Sequence, residues 1–254
     1  MCYDIKASLK AQLNRARQNN DEQRINEIID RLQNEYGAPY HHVSGFNFPF
    51  LIIYQSNEFI PTIAKWGLIP AWVKDESEAQ KIRNSTLNAR LETATIKPSF
   101  KDSLRNKRCV IEIDGFYEHR HFGNKTYPYF IQLKSKKQMT LAGIWSEWNS
   151  PLGNKLISFS ILTSTGNQLM SKIHNNPKLE GPRMPYILSE LEIDPWLENN
   201  SFSYLEIMQQ KKEVDLQAHT VFPLRGANYR GNVEGSSEPF DYPELLFAEP
   251  IDTE

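Results

Sequence analysis

The stretch Arg108-Cys109-Val110-Ile111-Glu112-Ile113-Asp114-Gly115-Phe116-Tyr117-Glu118 decides the fold. It is the most strand-like run of the chain, dominated by β-branched and aromatic residues, and Asp114-Gly115 inside it signals a turn or bulge. Three further runs of the same kind follow: Tyr129 to Leu133, Met139 to Trp148 and Leu156 to Thr163. Gly123-Asn124-Lys125 and Pro151-Leu152-Gly153-Asn154 between them read as hairpin loops. Strands joined by short turns rather than by helices predict a mainly antiparallel sheet system.

Upstream, Ser8 to Tyr36 carries apolar residues at helical spacing and is expected to be helical, broken near Asn19-Asn20-Asp21 and stopped at Gly37. Its arginines Arg15, Arg17, Arg24 and Arg31 alternate with acids and read as a solvated face. From Tyr40 to Ile63 the chain turns β-like, with a turn at Ser56-Asn57-Glu58. Downstream, Asn167 to Ile173 reads as a helix that delivers His174, and the Pro- and Gly-rich residues from Asn175 to Pro185 as loop. Leu188 to Leu197 is expected to be a helix capped by Ser189, Tyr204 to Lys211 a short helix, and Ala218 to Phe222 a strand. The class is therefore α+β, with flanking helices around strands.

Bulk properties narrow the function. With 254 residues, 39% of them hydrophobic, and a formal net charge of -2, the chain supports one large core and has no global basic field for nucleic acid. Any nucleic-acid contact must then come from a local patch. The two cysteines, Cys2 and Cys109, form neither a disulfide framework nor a zinc pattern, so no metal is expected. No apolar run reaches the roughly 18–20 residues of a membrane span. A cytoplasmic setting is expected, nucleoid-associated only if the chain binds DNA.

Several residues carry chemistry. Cys2 follows Met1, so loss of one residue leaves a 1,2-aminothiol. Its amine titrates near roughly 7.7–8.0 and its thiol near roughly 8.5, so each is partly nucleophilic at neutral pH. The amine forms a Schiff base with an aldehyde, and the thiol closes onto the same carbon to give a thiazolidine. Glu118, beside two aromatics, is a candidate for a raised pKa and for proton transfer. Asn88 and Arg90, two apart, share a face in an extended segment and read either as a surface polar pair in a loop or as a pair in which one can orient an amine and the other grip a phosphate. The Trp66 to Trp72 loop, with Pro70 inside it, reads either as core or as a stacking platform for unpaired bases. Cys109 reads as a small buried hydrophobe.

Together, MC at the start, WGLIPAW, LNARLET, RCVIEIDGFYEH, LAGIW, ILTSTGN and IH followed by RMP resemble the SRAP family (SOS response-associated peptidase) in composition and order. The resemblance covers residues 1–235 and leaves 236–254 as an acidic, extended tail. It implies a curled, barrel-like sheet around the mature N-terminus and a protein, expected to be a monomer without cofactor, that recognises abasic sites in single-stranded DNA and crosslinks to them. By the resemblance, Cys2 is the crosslinking nucleophile after self-removal of Met1, Asn88 orients it, and Arg90 contacts phosphate. Glu118 assists opening of the abasic sugar, His174 moves the Schiff-base proton, and Trp66, Trp72 and Pro70 flank the lesion. Arg83, Arg108 and Arg183 are further candidates for phosphate.

The chain departs from the family pattern in four places. Tyr3-Asp4 stands where Gly-Arg is usual, His119 where Trp follows the glutamate, and HHVSGFNFP where Asn-x-x-Pro is expected; NNPKLEGP lengthens the link between His174 and Arg183. An acid at position 4 is expected to weaken phosphate binding. Two rival readings of the residues remain: a peptidase or amidohydrolase with Cys2 as acyl-transfer nucleophile, and a single-stranded DNA binding module without chemistry.

Overall fold

The computed structural model describes residues 3–19, 21–198, 203–209, 213–248 and 250–251, so Met1 and Cys2 lie outside the described residues. In chain order, β1 (Asp4–Ala7) leads into α1 (Leu9–Gln12) and α2 (Glu22–Tyr36). Strands β2 (Tyr40–Ser44), β3 (Phe50–Tyr54) and β4 (Pro61–Trp66) follow, then α3 (Glu76–Ser85), β5 (Asn88–Arg90), α4 (Leu91–Ala94) and α5 (Lys101–Asn106). The long strands come next: β6 (Arg108–Ile113), β7 (Gly115–Phe122), β8 (Lys125–Leu133), β9 (Met139–Asn149) and β10 (Lys155–Thr165). The chain continues through α6 (Gln168–Ile173), β11 (Arg183–Pro185), β12 (Ile187–Leu188), α7 (Glu190–Leu197), α8 (Ser203–Gln209) and β13 (Leu216–Thr220).

The expected barrel-like curl is present. Antiparallel ladders join β4 to β3, β3 to β6, β6 to β9 and β9 to β10, and a parallel ladder from β10 back to β4 closes the ring. A second, five-stranded sheet has the order β13-β8-β7-β1-β2. Every residue of β6 is buried, so this strand is covered on both faces and its sequence does not show the apolar–polar alternation of a half-exposed strand.

The decisive stretch is split between the two sheets. β6 belongs to the barrel and β7 to the second sheet, with Asp114 at the corner. Its carboxylate accepts from the Ser8 backbone N–H at 2.6 Å and the Ser8 hydroxyl at 2.9 Å, tying the corner to the start of α1. Gly115 has a strict role here. A Cβ there would fall 2.4 Å from the Ile131 carbonyl oxygen, inside contact distance.

In the N-terminal helical region, Asp21 caps α2 by accepting from the Arg24 N–H, and Gly37 ends it at φ 73°. Ile25, Ile28 and Leu32 are its buried stripe. The first helical piece is shorter than its spacing predicts, ending at Gln12 and followed by a 3₁₀ turn over Ala16–Asn19. Arg15 corrects the reading of a solvated face, because it is 4% exposed and its Nε lies 2.8 Å from Glu112 of β6. Arg17, Arg24 and Arg31 are exposed as expected. The region read as pure loop after His174 contains β11, which pairs with β10. The described part of the C-terminal segment, expected to be extended, contains a 3₁₀ turn over Pro243–Phe247 and is laid against the second sheet. Lys6 Nζ donates to Ser237 Oγ at 2.7 Å, and the Phe240 N–H donates to the Thr220 carbonyl at 2.9 Å.

Candidate functional site

β7 and α6 bring the two proton-transfer candidates together. Glu118 sits on β7 opposite Tyr129. His174 is the C-cap of α6, whose start is fixed by the Asn167 side chain accepting from the Met170 N–H, and its own N–H donates to the Met170 carbonyl at 2.8 Å. The short helix thus aims the imidazole at the strand. His174 Nε2 and Glu118 Oε2 stand 3.6 Å apart, a separation common for catalytic pairs before substrate closes on them.

Burial decides the charge state of both groups. It pushes the Glu118 carboxyl above the ordinary carboxylate range, against the opposing effect of the His119 N–H that donates to Oε1 at 2.9 Å. It also pulls His174 down to about 4, so the imidazole is neutral at physiological pH. A carboxyl group biased toward holding its proton thus faces a neutral base. This is an arrangement for moving a proton in either direction.

The pair lies in a cavity of about 390 Å³ whose walls include Tyr3, Asp4, His119, Asn176 and Arg225. Tyr3 and Asp4 are the first described residues, so the beginning of the described chain forms part of the wall. Asp4 does not face the cavity as an isolated acid. It is 3% exposed, its Oδ1 lies 3.2 Å from His42 Nε2, and its Oδ2 accepts from Arg225 at 2.7 Å. The other His42 ring nitrogen meets the Tyr229 hydroxyl at 2.7 Å. Burial raises the Asp4 pKa, but His42 and Arg225 outweigh it and hold the carboxyl below the usual range. Of the HHVSGFNFP segment, His41 to Ser44 belong to β2 and Gly45–Asn47 to a 3₁₀ turn; none of it lines the cavity, and the His41 carbonyl accepts from the Tyr117 hydroxyl at 2.6 Å.

Asn88 and Arg90 lie on β5, which runs parallel to β10 with Asn88 beside Ile161 and Arg90 beside Thr163. Asn88 is buried, whereas the Arg90 side chain is 40% exposed and pairs with Glu180 at 3.1 Å. Neither Asn88 nor Arg90 lines the cavity; Glu180 belongs to the lengthened loop whose Asn176 and Leu179 do, so Arg90 is tied to that loop rather than placed in the cavity.

The tryptophan loop divides. Trp66 is fully buried, stacks on Phe159 with ring centroids 6.3 Å apart, and donates to the Leu87 carbonyl, so it presents no face to a base and is core. Trp72 is 47% exposed and keeps a free face; Pro70, buried, shapes the turn by accepting from the Val73 N–H. Among the other arginines, Arg108 is corrected from a phosphate candidate to a core residue: it is 3% exposed, and its guanidinium donates to the Trp196 and Leu104 carbonyls. Arg183 is engaged by Glu92 at 2.7 Å, and Arg83 lies over the Phe48 ring. Cys109 is a buried free thiol, as expected.

The sequence reading missed His42, Arg225 and Tyr229 entirely. They come to Asp4 from positions far apart in the chain, and no local pattern marks them. Among the described residues no His, Cys, Asp and Glu cluster could hold a metal, and no helix is long and apolar enough to cross a membrane.

Residues 2–224 match the family model described as SOS response associated peptidase (SRAP). The chain is 37% identical over 196 residues to the abasic site processing protein YoqW of Bacillus subtilis, spanning 76% of this chain and 82% of that one. It is 33% identical over 206 residues to the abasic site processing protein HMCES of Rattus norvegicus, where the match takes in 70% of this chain and 56% of the relative. A solved structure from Bacteroides thetaiotaomicron superposes with a TM-score of 0.80 at 29% identity, covering 94% of this chain and 100% of that one. One from Bordetella bronchiseptica, at 19% identity and a TM-score of 0.67, shares the fold.

Proposed function

The chain belongs to the SRAP family, and on that premise we propose that it processes abasic sites in single-stranded DNA by forming a thiazolidine crosslink through Cys2. The observation that carries this reading is the Glu118–His174 pair, 3.6 Å apart in a cavity walled by Tyr3 and Asp4.

After removal of Met1, the Cys2 α-amine attacks the aldehyde carbon C1′ of the ring-opened abasic sugar. Glu118, whose carboxyl burial shifts upward, donates to O4′ as the sugar opens while solvent takes the C1′ hydroxyl proton; it regains a proton from the nitrogen once the amine has added and returns it to the carbinolamine hydroxyl, which leaves as water. Neutral His174 relays the proton of the resulting imine. The Cys2 thiol then adds across the C=N bond, sulfur to carbon and proton to nitrogen, so crosslinking releases one water. Asn88 orients the aminothiol, Arg90 takes a backbone phosphate once Glu180 yields it, and exposed Trp72 is the residue of its loop that a base can reach.

A peptidase with Cys2 as acyl-transfer nucleophile is the second reading, favoured by the family's description. One experiment separates them. Wild type, Cys2→Ala and Glu118→Gln are incubated with an oligonucleotide carrying one abasic site and resolved under denaturing conditions. Crosslinking predicts an adduct that Cys2→Ala lacks; the peptidase reading predicts no adduct but an acyl-enzyme trapped by amide-like inhibitors. Equal adduct from Cys2→Ala would refute the proposed chemistry.

A further inference from the structure

We propose that Arg225 is a backbone-phosphate anchor at the mouth of the Glu118–His174 cavity, held there by Asp4. The inference rests on DNA being the ligand of this cavity and adds a residue that lies past the family match, which ends at residue 224.

Arg225 lines the same cavity as Glu118 and His174. Its Nη2 donates to Asp4 Oδ2 at 2.7 Å, yet the two partners differ sharply in exposure: the Asp4 side chain is 4% exposed and that of Arg225 62%. An arginine serving only to neutralise a buried carboxylate would be covered along with it. This one spends one donor on Asp4 and turns the rest of its fork to solvent, the geometry that engages phosphate oxygens.

The anchor is also immobilised. Asp4 is fixed from its other side by His42, and His42 by the Tyr229 hydroxyl. Asn232 clamps the segment that carries Arg225 onto the edge of β2, its Oδ1 accepting from the His41 and His42 N–H groups at 2.6 and 3.1 Å and its Nδ2 donating to the Pro39 carbonyl at 3.0 Å. A pre-placed guanidinium loses little conformational freedom on binding, so more of the contact appears as affinity. The acid at position 4 is thereby turned from an obstacle to phosphate binding into the tether of the group that provides it.

The test measures equilibrium binding of a single-stranded oligonucleotide bearing a non-reactive tetrahydrofuran abasic analogue, and adduct yield with the reactive abasic form, for wild type, Arg225→Ala and Arg225→Lys. Arg225→Ala is expected to raise the half-saturating concentration of the analogue about tenfold. Arg225→Lys keeps a cation on Asp4 and the wild-type Tm but loses the planar fork, and is expected to bind about threefold more weakly. A role confined to folding predicts wild-type binding for Arg225→Lys, and that result, or binding of Arg225→Ala within twofold of wild type, overturns the proposal. If wild type forms no adduct while Arg225→Ala still weakens analogue binding, the anchor stands and the crosslinking chemistry fails. If wild type binds no oligonucleotide, both fail.

Discussion

At the scale of single residues, burial sets the chemistry of Glu118 and His174, and it does so at a cost to the fold. Glu118 is held above its ordinary pKa by desolvation, so the folded state is favoured while the group is protonated and loses that advantage as pH rises through the folded value. Glu118→Gln keeps an oxygen to accept the His119 N–H and removes the buried charge. It is therefore expected to lower the adduct-forming rate roughly a hundredfold while raising stability by about 1 kcal/mol at neutral pH, read by quench-flow and by urea denaturation. His174 and His119 are both depressed to about 4, each chiefly by burial, so both are neutral in the folded protein. The stability this gives is complete above their unfolded value of roughly 6.5 and is lost as pH falls toward 4. Thermal melts should show Tm declining through that window. A Tm flat between those limits would contradict the assignment of two buried neutral histidines.

At the scale of elements, the corner between β6 and β7 and the loop after α6 position the site. The corner was legible in the sequence: Asp114-Gly115 marks a break, and Glu118 beyond it is a strand residue beside aromatics. What the sequence could not show is that the break moves the chain from one sheet to another, because that depends on Ile131 of β8 and Ser8 before α1 meeting the corner. Gly115→Ala forces its Cβ against the Ile131 carbonyl and is expected to cost about 3 kcal/mol in chemical denaturation. The helix delivering His174 was equally legible from Asn167 and the apolar spacing after it. Helix α3 was not foreseen, since Ala79 is its one buried residue and no stripe announces it; Asp75 capping the Glu78 N–H was the local signal available. The lengthened loop contributes Glu180, which occupies Arg90 at 3.1 Å. Both partners are substantially exposed, so the pair is weak and DNA phosphate can displace it. Glu180→Gln is expected to tighten oligonucleotide binding two- to threefold, roughly the worth of an exposed ion pair, in fluorescence anisotropy.

At the scale of the whole molecule, a chain of formal net charge -2 can hold a polyanion only through a few placed cations and not through its overall field. With Arg90 and Arg225 as the phosphate anchors, the logarithm of the binding constant should fall against the logarithm of salt with a slope of about −1.4, two phosphates at roughly 0.7 each for a single strand. A slope several times steeper would mean a broad basic surface instead. The family was readable because its marks are local strings, such as RCVIEIDGFYEH; the barrel came only with that resemblance, since the strands themselves announce no more than a mainly antiparallel sheet system. The Asp4, His42, Arg225 and Tyr229 cluster was not, because it is assembled from the first strand, the second strand and the segment after β13, and only the folded chain makes them neighbours. For the same reason Arg15 and Arg108 looked like surface cations: their partners, Glu112 and the Trp196 carbonyl, are distant in sequence.

The central claim is that a processed N-terminal cysteine closes a ring on an abasic aldehyde. Intact mass spectrometry of the protein with a single-abasic oligonucleotide tests it most directly. The account predicts loss of Met1 from the free protein, and an adduct at the summed mass of processed protein and oligonucleotide less one water, absent from Cys2→Ala. Retention of Met1, or an adduct that survives Cys2→Ala undiminished, would contradict it.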